Sequence, residues 1–98
     1  MSWSIYITNK ASSDFAEIYN YIFYVLKAPQ AAERLSDKII EMIDALSDFP
    51  KIYPTAENGI RKMPVDNYLV FYELNESQRI ISITRIVYGG TDLSQMNR

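Results

Sequence analysis

The chain has 98 residues, is 48% hydrophobic and 13% aromatic, and carries a net charge of −2, which describes one domain over residues 1–98 and excludes a disordered polypeptide. It contains no cysteine and no histidine, so disulfides, a thiol nucleophile, zinc thiolates and the usual neutral-pH general base are excluded, and neither a metal nor a cofactor is expected. Residues 1–50 hold four cationic against seven acidic side chains and residues 51–98 hold six against five, too sparse a basic face for strong autonomous binding to DNA or RNA.

In chain order, Trp3, Ile5 and Ile7 alternate with Ser4, Tyr6 and Thr8, and the period of two predicts a short strand. A helix follows, with Ala11, Phe15, Ile18, Tyr19, Ile22 and Leu26 at three- and four-residue spacing and Asn9 or Ser12 as its cap. Pro29 suits the first turn of a second helix running to about residue 48, with an inward stripe of Ala32, Leu35, Ile39, Met42 or Ile43, and Leu46. So short a joint makes the two helices an antiparallel hairpin.

The segment FPKIYPTAENG, with two prolines and a glycine, leads to three strands over 60–65, 68–74 and 79–88. Their short polar connections predict an antiparallel meander. In the middle strand Tyr68, Val70, Tyr72 and Leu74 point one way and Leu69 and Phe71 the other, so one face meets the helices and the second needs its own cover or a partner. The expected fold is α+β, in the order β-α-α-β-β-β, with the sheet packed against the N-terminal helical hairpin. No apolar run approaches the roughly 18 residues of a membrane span. The first ten residues lack a basic segment followed by an apolar one, so a cytoplasmic location is expected.

Nearly the whole chain resembles the RelE/ParE superfamily of type II toxin–antitoxin toxins. The resemblance is carried by Ala11, Asp14, Ile18 and Tyr21, by Pro29 and Ala32, by FPKIYP, and above all by RKMPVDNYLVFYEL and ITRIVYGGTD. It implies a toxin held inactive by a cognate antitoxin, in a toxin–antitoxin hetero-oligomer, with one of two targets. RelE-like members cut mRNA in the ribosome without a metal; ParE-like members bind and poison DNA gyrase.

Metal-free RNA cleavage needs a base, cationic groups for the phosphorane and an acid. Arg61, Arg85 and Tyr88 are the catalytic candidates, and Lys62, Gly89, Gly90 and Asp92 the target-binding ones. Where the resemblance to RelE-like members implies a catalytic arginine just beyond the last strand and a tyrosine shortly after, this chain has Gly89, Gly90 and Thr91, then Gln95 and Met96. That departure favours gyrase binding over cleavage. Arg85, inside an apolar strand, either pairs with a core-side carboxylate or meets a ligand. Tyr19, Tyr21, Phe23 and Tyr24 give the first helix more aromatic surface than one buried stripe uses, and they are expected to meet the antitoxin.

Overall fold

Apolar alternation produces β1 (Ser4–Ile7), and the chain turns at once into α1 (Asn9–Asn20). The computed structural model, which describes residues 2–90, makes Thr8 the cap in place of Asn9 or Ser12. Its backbone is extended and its hydroxyl accepts from the Ala11 N–H at 3.1 Å, the geometry of an N-cap.

The single helix expected as far as Leu26 instead changes pitch. From Tyr21 to Val25 it widens into a π-helical turn, with the Leu26 N–H donating to the Tyr21 carbonyl at 3.0 Å. The extra residue per turn rotates everything beyond it. Ile22 therefore stays buried, while Leu26, expected in the inward stripe, is 55% exposed. Lys27 ends the segment in the left-handed region at φ 54. Pro29 then opens α2 (Pro29–Leu46), which buries Ala32, Ile39, Ile43 and Leu46.

The meander forms as expected from β2 (Arg61–Val65), β3 (Tyr68–Asn75) and β4 (Ile80–Tyr88). At the opposite edge β1 lies parallel to β4, so the sheet is mixed and four-stranded, in the order β1-β4-β3-β2. Met63, Val65, Val70, Tyr72, Ile81, Ile83 and Ile86 form the sheet side of the core, and Ala11, Ile39, Ile43 and Leu46 the helix side. Along β3 and β4 the pairing slips by one residue: Phe71 faces Arg85 but Tyr72 faces Ile83. Thr84 is the additional residue, a β-bulge that resets the alternation so that Ile83 and Ile86, three apart, both reach the core.

The point at which β1 ends also decides what α1 must supply. β1 stops opposite Ile83, leaving the remainder of β4 without a neighbour on that edge. Unpaired backbone groups inside a protein are costly, and the side chains of the α1 cap and of Asp14 within α1 take the place of a strand. The Thr8 hydroxyl donates to the Thr84 carbonyl at 3.3 Å, and the Asp14 carboxylate accepts from the Ile86 N–H at 3.0 Å.

Candidate functional site

Asp14 is 7% exposed, and its carboxylate also receives Arg85, through Nε at 2.7 Å and Nη2 at 3.3 Å. Of the two readings open for Arg85, the geometry is that of the core-side ion pair. Asp14 stands three residues after Ala11 on the buried stripe of α1, and a carboxylate on that stripe is the signal by which the partner was readable. Arg61 is also engaged within the chain: its Nη1 donates to the Tyr53 carbonyl at 2.6 Å, tying β2 to the connection that precedes it. Its neighbour Lys62 is exposed.

The cationic and phenolic candidates are not gathered at one point. Arg61 is level with Tyr72 on β3 and Tyr88 is level with Tyr68, a separation of four residues or roughly 13 Å along the strand. Tyr88 is 55% exposed and meets Tyr68 edge-on, with ring centroids 5.8 Å apart. Burial pushes the Tyr68 hydroxyl above its usual range, and the nearby phenols of Tyr88 and Tyr21 add to the effect. Neutral phenols at physiological pH are donors and stacking surfaces, not bases.

Tyr68, Tyr88, Gly89 and Gly90 line a shallow depression together with Asp66 and Asn67. The N–H of Gly89, one of the target-binding candidates, donates to the Asn67 carbonyl at 2.6 Å. A β-carbon on Gly89 would lie 3.0 Å from that same oxygen, so glycine allows the strand end to approach the β2–β3 turn. The turn is held from the helix side by Lys38, whose Nζ is 2.6 Å from an Asp66 carboxylate oxygen. Asp92 lies outside the described residues.

The aromatic group of the first helical segment clusters around its π-helical turn. Tyr19 stacks on Phe23 at 5.7 Å, and Phe23 meets Tyr24 at 4.7 Å. Tyr19 also donates to the Glu33 carboxylate on α2, a bond that raises the phenol's pKa. Tyr21 and Tyr24 are exposed, and Val25 and Leu26 beside them are 62% and 55% exposed. Periodicity missed these last two because the pitch change that turns them outward has no mark in an unbroken apolar run. Among the described residues no three carboxylates stand together as a metal site, and no helix is long and apolar enough to cross a membrane.

The sequence matches the family model described as the ParE toxin of the type II toxin–antitoxin system parDE, over residues 5–93. Among solved structures, it resembles a chain of the chromosomal ParDE toxin–antitoxin system from P. aeruginosa, with a TM-score of 0.75 at 23% identity, covering 89% of this chain and 96% of that one. It also resembles a chain of the RelBE2 toxin–antitoxin complex from Mycobacterium tuberculosis (TM-score 0.66, 14% identity, 90% and 99% covered). The isolated RelE toxin of E. coli is a third (0.61, 10% identity, 98% and 94% covered). No curated protein matches the sequence. At these identities the structural likeness establishes the shared α+β fold alone. The family match spans most of the sequence, from β1 past the end of β4, and by it the chain belongs to the ParE toxins of type II toxin–antitoxin systems.

Proposed function

We propose that this chain inhibits bacterial growth from the cytoplasm by binding DNA gyrase, and that a cognate antitoxin neutralises it. The observation that carries the choice of target is the engagement of both candidate arginines inside the fold, Arg85 with Asp14 and Arg61 with the Tyr53 carbonyl. Cleavage of RNA without a metal requires cationic groups held toward the phosphorane rather than spent on partners within the fold. With no histidine in the chain, Lys62 and Tyr88 remain outward, and their rows on the sheet are three residues, or roughly 10 Å, apart. Such a surface suits recognition of a protein better than proton transfer to and from a ribose.

The antitoxin is assigned to the aromatic surface of Tyr19, Tyr21, Phe23 and Tyr24. Exposed Tyr21, Tyr24, Val25 and Leu26 form the kind of apolar, aromatic patch that a partner segment buries at an interface core.

Induction in a bacterial host separates the targets. Gyrase binding is expected to trigger the SOS response, and the purified chain to stabilise cleaved DNA complexes in a gyrase supercoiling assay. Cleaved messages in primer extension, with gyrase unaffected, would replace this reading by an mRNA endonuclease built on Arg61, Arg85 and Tyr88. Co-expression with the neighbouring reading frame tests the antitoxin, which should form a stable complex that Tyr24→Ser weakens.

A further inference from the structure

The C-terminal end of α2 runs against the electrostatics of its own helix. Cations belong in a last turn, where the carbonyl ends are negative, yet α2 has no basic residue there. The exposed charged side chains in and around this end are Glu41, Asp44 and Asp48. Lys51, close by in sequence, is paired with Glu76 at 2.5 Å. Local choices that oppose the fold mark places where another requirement is being met.

Beside this acidic end opens an apolar groove of about 90 Å³, lined by Met42, Ala45, Leu46, Phe49, Ile52 and Met63. Phe49 and Ile52 are each 64% exposed. They are displayed from a clamped backbone: the Tyr72 hydroxyl donates to the Pro50 carbonyl at 3.0 Å, and Arg61 holds the Tyr53 carbonyl. The Ile52 N–H bonds back to the Phe49 carbonyl at 3.2 Å. Folding therefore fixes two large apolar side chains at the rim of the groove without covering them.

We propose that this groove docks a segment of a partner protein that presents an apolar side chain flanked by lysine or arginine. The apolar side chain enters between Met42, Phe49 and Ile52, while the flanking cations meet Glu41, Asp44 and Asp48. Charge selects the occupant. A nucleic acid carries the wrong sign, and a second copy docked face to face would set the two acidic ends against each other. The groove shares no residue with the aromatic surface around Tyr21, so the proposal stands whatever the toxin's target.

The groove carries its own reporters. In the full-length chain labelled at methionine methyl groups, Met42 and Met63 signals are to be followed while a synthetic peptide with Phe and Leu between lysines is added. A matched peptide with glutamates in place of the lysines is the control. Both signals should shift with the lysine peptide, and added salt should weaken the shift. Affinity should fall about tenfold or more in Phe49→Ser/Ile52→Ser and in Asp44→Lys/Asp48→Lys. Thermal melts should confirm that both variants remain folded. Equal binding of the glutamate peptide, unmoved methionine signals, or shifts that appear with protein concentration alone, as a second copy would produce, would each overturn the proposal.

Discussion

Asp14 performs two tasks with one carboxylate, neutralising Arg85 and completing the hydrogen bonding of a strand edge at Ile86. Removing it leaves a partly buried guanidinium and a buried N–H without partners. Asp14→Ala is therefore expected to lower stability by about 2–4 kcal/mol, below the fully buried limit because the Arg85 side chain is 31% exposed. Asp14→Asn keeps an acceptor for the Ile86 N–H and should fall between. Urea unfolding measures all three proteins, and a loss under about 1 kcal/mol for Asp14→Ala would mean that water replaces the carboxylate there. Lys27 supplies a test of opposite sign. At φ 54 its β-carbon crowds the backbone, a strain that glycine lacks, so Lys27→Gly should raise stability by about 0.5–1 kcal/mol despite glycine's larger unfolded-state entropy. A lowered melting temperature would show that the Lys27 side chain contributes more than its backbone costs.

The contact between β4 and the β2–β3 turn works at the scale of whole elements, since it locks the end of one strand to the connection of two others. A methyl group on Gly89 would meet the Asn67 carbonyl, which is backbone, whereas one on Gly90 would meet the exposed Tyr88 ring, which can rotate away. Gly89→Ala should consequently destabilise by about 1–2 kcal/mol and Gly90→Ala by much less. Hydrogen exchange at the Gly89 amide should accelerate in the first variant alone; equal effects of the two would refute the contact's role. Such detail lies beyond sequence periodicity, and the elements show where that limit falls. The helices and meander were legible because polar residues mark the phase of each apolar stripe. From Tyr21 to Leu26 six apolar residues run together, nothing marks the phase, and the π-helical turn passed unseen. The bulge at Thr84 was not legible, because Ile80, Ile81, Ile83, Ile86 and Val87 are all apolar and mark no single period. The parallel placement of β1 had no local signal, because it depends on pairing across 76 positions, Ser4 to Ile80. The candidate site was legible as a set of residue types. Asp14 on the stripe of α1 marked a core-side carboxylate for Arg85, 71 residues away, whereas the bond of Arg61 to the backbone carbonyl of nearby Tyr53 leaves no mark in residue type and emerges only once the chain has folded.

Across the whole molecule, the absence of histidine leaves a wide neutral range in which no side chain is expected to titrate at its ordinary pKa. The acid edge includes Glu76, held below the usual carboxylate range by its hydrogen bond with Lys51. Because folding lowers that pKa, the pair's contribution is present above the unfolded value and is lost as pH falls through the folded one. The alkaline edge belongs to the tyrosines. Burial raises Tyr72 and Tyr68, and the bond to Glu33 raises Tyr19, all from an ordinary value of 10.0. A raised pKa means that the fold favours the protonated phenol, so this stability is complete below pH 10.0 and is lost as pH climbs through the folded values. The melting temperature should accordingly be nearly flat from about pH 6 to about pH 9 and drop beyond about pH 10. Tyr72 should dominate the drop, since its side chain is fully buried and its hydroxyl donates to the Pro50 carbonyl. Tyr72→Phe tests that assignment: it should lower stability at neutral pH by about 1 kcal/mol, for one lost hydrogen bond, yet move the alkaline fall to higher pH. If the variant and the parent lose stability at the same alkaline pH, the limit is set elsewhere on the surface and the core phenol is not its source.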